Sequence, residues 1–170
     1  MLNPASPLAK LMTAPVRPGT VQWIGLRPAR GAPMTAVESA SLVVGQGVDG
    51  DRYHTRNNGG RQVTLIQAED LAAIASYLGR DTVTPDLLRR NIVVAGINLL
   101  ALKDRTFRLG GALLAYATEC HPCSKMETTF GPGGYNAVRG HGGVCCRILA
   151  GGEVRIGDML QVMPTEGDAS

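Results

Sequence analysis

Phe107-Arg108-Leu109-Gly110-Gly111-Ala112-Leu113-Leu114-Ala115-Tyr116-Ala117 reads as strand, turn and strand. The apolar runs Phe107 to Leu109 and Ala112 to Ala117 flank a Gly-Gly pair, which can reverse the chain with positive φ, so the stretch predicts a β-hairpin. The chain then continues Thr118-Glu119-Cys120-His121-Pro122-Cys123-Ser124-Lys125-Met126-Glu127. Pro122 lacks the N–H a strand ladder needs, so the strand stops before it. Cys123 therefore falls just past a strand end, with the cation of Lys125 two residues on. A thiol near a cation is biased toward thiolate, the form that attacks sulfur and binds soft metals.

Working outward, Val21 to Leu26 alternates weakly and reads as a strand, as does Thr35 to Val44, with a break. Asp49 to Gly60 is polar and ends in Asn57-Asn58-Gly59-Gly60, a loop signal. Gln62 to Ile66 is short, β-branched and alternating, hence a strand. From Gln67 to Leu78 the residues Leu71, Ile74, Ala75 and Leu78 share one helical face, and Gly79 supplies the stop. Thr84-Pro85-Asp86 opens a short helix that ends near Arg89. Ile92 to Ala95, Val144 to Ala150, Glu153 to Ile156 and Met159 to Met163 are the remaining strands, with Gly151-Gly152 and Gly157-Asp158 as turns. Many strands with a few helices predict a mostly β (α+β) barrel.

A chain of 170 residues suits one domain able to bury a core without staples. Its net charge of +3, spread over scattered Arg and Lys, argues against nucleic-acid binding. No apolar run approaches the roughly 20 residues a membrane helix needs. Residues 1–19, with Pro4, Pro7, Pro15 and Pro18, lack the pattern of a secretory signal and read as an extended leader. Residues 20–163 form the domain and 164–170 a tail. Four cysteines in such a chain do not make a disulfide scaffold, so the expected compartment is the cytoplasm, with thiols reduced.

Cys120 and Cys123 form a Cys-x-x-Cys pair, the spacing of thioredoxin-like redox centres and of half a zinc site. Ser124 to Gly134, with its proline and three glycines, is a poor helix, so the thioredoxin context is missing. The adjacent Cys145 and Cys146 point to opposite faces of a strand and do not readily supply a second zinc pair, although His121 or His141 would offer other ligands; no zinc is expected. Cys120 remains available as a resolving thiol for a transient disulfide with Cys123.

Five pieces in order carry a family resemblance: Gly47-Val48-Asp49-Gly50-Asp51-Arg52-Tyr53-His54; Arg61-Gln62-Val63-Thr64-Leu65-Ile66; Leu88-Arg89-Arg90-Asn91-Ile92-Val93-Val94-Ala95-Gly96; Pro122-Cys123; and Gly151-Gly152-Glu153-Val154-Arg155-Ile156-Gly157-Asp158. Together they resemble the MOSC domain, named for the C-terminal domain of molybdenum cofactor sulfurases, here as a stand-alone member with the MOSC-type β-barrel.

The resemblance implies one of two tasks for Cys123. It would ligate molybdenum in a bound molybdopterin and reduce N-hydroxylated or N-oxide compounds, or it would carry sulfane sulfur as a persulfide received from a pyridoxal-phosphate cysteine desulfurase. A pterin phosphate needs guanidinium and amide partners. The family's Arg-x-Asn-Ile motif maps onto Arg89 and Asn91, while Arg90 stands where some relatives have proline. Asp51, Arg52 and His54 match a characteristic turn, read equally well as a structural Asp–Arg pair. Arg61 and Lys125 are further cations for an anionic ligand. The glycines around Arg139 and His141 make a flexible loop. With no four-cysteine iron–sulfur spacing and no dinucleotide fingerprint in the chain, the reductase reading implies a separate electron-donor protein.

Overall fold

The computed structural model describes residues 2–165. Its centre is a closed barrel of seven strands: β1 (Gly19–Leu26), β5 (Val63–Gln67), β6 (Ile92–Ala95), β7 (Thr106–Leu109), β8 (Ala112–Glu119), β9 (Val144–Ala150) and β11 (Met159–Val162). The order round the wall is β11-β7-β8-β9-β5-β6-β1, and β1 returns to β11 through Gly19↔Leu160. An odd number of strands cannot alternate direction all the way round, so at least one neighbouring pair must run parallel. That pair is β5–β6. Parallel neighbours need a crossover, supplied here by helices α2 (Ala68–Leu78) and α3 (Pro85–Leu88). Outside the barrel, β2 (Thr35–Val37) extends β1, while β3 (Ser39–Val43), β4 (Gly47–Val48) and β10 (Gly152–Arg155) form a small antiparallel sheet.

Strand alternation sorts side chains to two sides of the wall. Val63, Leu65, Ile92, Val94, Leu114, Cys146 and Ile148 fill the barrel interior with Phe107 and Leu160. The intervening Ile66 and Val93 face outward into a second core. There they meet Ile74 of α2, Leu88 of α3, Met126 and Phe130 of α4 (Ser124–Phe130), and Val138 of α5 (Gly134–Val138). Helices thus cover one outer side of the barrel, beside β5 and β6.

The hairpin on Gly110-Gly111, the strand at Gln62 and the α2 helix with its left-handed Gly79 cap follow the sequence pattern. Two expectations are corrected. The first residues are not simply extended: α1 (Pro7–Met12) forms, because Ser6 Oγ accepts from the Ala9 amide at 3.1 Å and Pro7 sits at the first helical position, where proline starts a helix rather than breaking it. The buried Arg105 ties this segment down by donating to the Ala14 carbonyl at 3.1 Å. Likewise Ser124 to Gly134 is largely helical. Gly131, Pro132 and Gly133 fall between α4 and α5 and Gly134 opens α5, while Glu127 bridges the gap by accepting from the Gly133 and Tyr135 amides at 3.2 and 3.0 Å. Those bonds, Tyr135 first, hold the Glu127 carboxyl below its usual range. Of the expected tail 164–170, residues 166–170 lie outside the described residues.

Candidate functional site

Thr64, Asn91 and Cys145 occupy outward positions alternating with barrel-core residues, and there a cavity of about 310 Å³ opens. Its cations are Arg27, Arg61 and Arg90; Glu119 is its acidic group, and Tyr53, Gln62, Cys120 and His121 complete the relevant wall. A neighbouring cavity of about 350 Å³ shares Glu119, Cys120 and His121 with it.

The floor is a buried polar network. Asp51 Oδ2 receives Arg27 Nη2 at 2.7 Å, and its Oδ1 receives Arg27 Nε at 3.1 Å and the Arg27 amide at 2.6 Å. Asn91, fully buried, donates through Nδ2 to the Gly25 carbonyl and to Asp51 Oδ1 at 3.2 and 3.3 Å, and its Oδ1 accepts from Thr64 Oγ1 at 3.1 Å. Every arm of the Asn91 amide is engaged, so it fixes the arginine–aspartate fork rather than offering itself to a ligand. The Arg27 guanidinium also stacks 5.9 Å from the Tyr53 ring centroid. The structural Asp–Arg pair expected within the turn therefore exists with a different arginine: Asp51 pairs with Arg27, while Arg52 is exposed and bonds the Arg27 carbonyl through its backbone amide at 2.7 Å.

The two consecutive arginines part company. Arg89 takes a left-handed φ of 56° as the cap of α3 and turns its guanidinium to the Ala32 carbonyl at 2.7 Å. Arg90 faces the cavity, held by the Gly142 and Leu88 carbonyls at 2.6 and 2.7 Å. Arg61, at the start of the β5 approach, is exposed on the cavity rim. His54 and Lys125 are exposed and outside the lining. The loop at His141 is pinned rather than free: His141 Nδ1 lies 2.7 Å from Asp70 Oδ1 on α2, and its ring packs 5.4 Å from that of Tyr77.

Among the cysteines, Cys123 is exposed and caps the N-terminus of α4. Cys120, left open in the sequence as a resolving thiol for Cys123, lies 3.0 Å from Cys145, sulfur to sulfur. The strand register explains it: Thr118 is paired with Cys145, so Cys120, two residues on, reaches the same face diagonally. Arg27, Arg90, Gln62 and Cys145 are the cavity groups sequence reasoning passed over or left open. The signal for Cys145 lay in the alternation of β9, which sends Cys146 into the core and Cys145 outward. Arg27 carried no local signal at all. Among the described residues, no three His, Cys, Asp or Glu side chains gather as a metal site, and no helix is long and apolar enough to cross a membrane.

A seven-stranded mixed barrel with an arginine-rich outer cavity is the architecture on which the comparisons bear. The MOSC domain family matches residues 50–161, and the chain belongs to it. Among solved structures, the chain resembles the YuaD protein from Bacillus subtilis, with a TM-score of 0.76 and 18% identity over 89% of this chain and 98% of that one. It also resembles YiiM from Geobacillus stearothermophilus (TM-score 0.68, 17% identity, 89% of this chain and 78% of that one). YiiM from Escherichia coli gives a TM-score of 0.65 at 18% identity, over 86% of this chain and 70% of that one. At these identities the likeness speaks for the fold. No curated protein matches the chain.

Proposed function

We propose that the chain binds a molybdenum cofactor in the arginine-lined cavity and, with Cys123 as the metal's protein ligand, reduces N-hydroxylated or N-oxide compounds. The observation that carries this reading is the convergence of Arg27, Arg61 and Arg90 on one cavity of about 310 Å³. That volume falls in the range of small-molecule sites, and the guanidiniums suit a phosphate-bearing ligand. The donor set fits the group: a phosphate finds cations and a pterin finds the Glu119 carboxylate along the wall, while the buried Gln62 spends its amide on Asn58, the Gly59 carbonyl and the Ile148 amide.

When bound, the group supplies a metal able to take an oxygen atom from a substrate. The chain's own contribution is positional. Asp51 and Asn91 lock Arg27 in place, so its charge is set before a ligand arrives, which lowers the ordering cost of binding. Arg90 is braced by two carbonyls and keeps its remaining N–H groups for an anion. Arg61 supplies the adaptable cation at the rim, and Lys125 adds charge beside Cys123. Arg89, Arg52 and His54, turned from the cavity, would act on the ligand only at its periphery. Electrons would come from a separate reductase protein.

A second reading is favoured by one observation, the exposure of Cys123 outside the cavity lining. An exposed thiol suits a sulfur carrier that receives a persulfide from a cysteine desulfurase, because the partner's active site must reach it. Molybdenum and pterin measured in protein purified from a cofactor-producing host separate the two. Near-stoichiometric molybdenum that falls in Cys123→Ala supports the cofactor enzyme. Absence of both metal and pterin, together with a persulfide on Cys123 in the intact mass, supports the carrier.

A further inference from the structure

Neither reading uses Cys120 and Cys145, although both line the arginine-rich cavity. Their sulfurs, 3.0 Å apart, are brought together by backbone rather than by chance rotamers. The Cys120 amide donates to the Gly143 carbonyl at 2.8 Å, which fixes the end of β8 against the start of β9. A side chain at Gly142 would collide with the Cys120 carbonyl oxygen, and one at Gly143 with the Leu65 carbonyl oxygen. The glycines therefore permit the close approach that a bulkier pair would forbid. Cys120 is half-buried and Cys145 mostly covered, with the cavity as their common opening.

We propose that Cys120 and Cys145 form a redox-active dithiol, converted to a disulfide by small anionic disulfides that the cavity arginines attract. In the first step the Cys145 thiolate attacks one sulfur of the incoming disulfide. That S–S bond breaks, one half departs as a thiolate, and a mixed disulfide remains on Cys145. In the second step Cys120 gives its proton to the departed thiolate and its sulfur attacks the Cys145 sulfur. The other half then leaves as a thiolate. The protein pair loses two electrons, and the small disulfide is reduced to its two thiol halves.

The division of roles follows from the surroundings. Cys145 shares a hydrogen bond with Cys120 and lies near Arg61, Arg90 and Arg27, which together hold it down at about 7 against the cost of burial. Cys120, at the other end of that bond and desolvated, is pushed up. The sulfur nearer its thiolate form attacks, and the other resolves.

The test is incubation of the full chain, in a Cys123→Ser background that silences the exposed thiol, with glutathione disulfide. Thiol titration, intact mass and peptide mapping read the outcome. The expected result is loss of two thiols with Cys120 and Cys145 peptides linked. Adding Cys120→Ser should halt the reaction at a single glutathionyl adduct on Cys145. Retention of all thiols, linkage between other cysteines, or a first adduct on Cys120 rather than Cys145 in the background protein would each overturn the proposal. The linkage map of the background protein needs no pocket substitution, so it decides even where the serine variants fold poorly. For the anionic preference, glutathione disulfide is compared with neutral hydroxyethyl disulfide. Arg61→Gln is expected to slow the charged reagent about tenfold and the neutral one less, because Arg61 also favours the Cys145 thiolate; equal slowing of both contradicts attraction of the anion by the cations.

Discussion

The cavity floor and the turn that carries Cys123 sit in the same molecule but are built on opposite terms. At the floor, Asp51, Asn91, Thr64 and Arg27 come from separate elements, are largely buried, and satisfy one another through short hydrogen bonds. Cys123, at the N-cap of α4, and Ser124 and Lys125, its first residues, are neighbours in sequence and exposed. The floor is therefore rigidly preorganised, while the turn is open to solvent. Under the proposed function, the cavity recognises and the Cys123 thiol reacts.

The largest test of that contrast is Asp51→Ala. It strands the Arg27 guanidinium, whose side chain is only 17% exposed, without its carboxylate. Removing one partner of a buried pair leaves uncompensated charge, so a loss of about 3 kcal/mol is expected in denaturant unfolding. Arg52→Ala, on the same turn but exposed, should stay within about 0.5 kcal/mol. Equal effects would erase the distinction between floor and turn.

Glycine substitutions sharpen it further. Gly143 has φ +84° and its missing Cβ faces the Leu65 carbonyl, whereas Gly140 has φ +82° and open space around it. Both alanine variants carry left-handed strain of about 1 kcal/mol. Gly143→Ala adds a backbone collision and should lose at least about 2 kcal/mol in thermal unfolding. It should also separate Cys120 from Cys145.

A pH series probes the thiols. The Cys145 thiolate is populated above about 7, so its alkylation by iodoacetamide should accelerate as pH rises through that value and then level off. The groups facing it are Cys120 from the end of β8 and Arg27, Arg61 and Arg90 from the cavity, with Cys146 beside it in β9. Cys120→Ala removes the hydrogen bond that contributes most to holding Cys145 down, so the midpoint should move to higher pH. A midpoint that stays put would mean the arginines alone set it.

The smallest effect expected is that of Cys123→Ala on stability, within about 0.5 kcal/mol, because the side chain is exposed. Any consequence for cofactor or sulfur content would then reflect chemistry rather than folding.

Local patterns in the sequence carried much of the fold. The alternation at Gln62 to Ile66, the Gly110-Gly111 reversal and the one-faced apolar stripe of α2 each encode an element in neighbouring residues. Pro7 and the Ser124 to Gly134 stretch misled because proline and glycine mark helix boundaries as readily as they break helices. The cavity's polar floor was legible where a motif is contiguous, as around Asp51 and Asn91. It was not legible where strand register makes the neighbourhood. Arg27 meets Asp51 across 24 residues, and Cys120 meets Cys145 across 25. Periodicity says which face a residue takes, but not which residue of another strand stands opposite.

Pterin content in two variants tests most directly the claim that the cavity recognises and the turn reacts. Protein from a cofactor-producing host is compared with its Arg61→Gln/Arg90→Gln and Cys123→Ala forms, each confirmed folded by its melting transition. The account predicts that the arginine variant loses the pterin, while Cys123→Ala keeps pterin and loses molybdenum. Wild-type pterin content in the arginine variant would contradict it and place recognition elsewhere on the barrel.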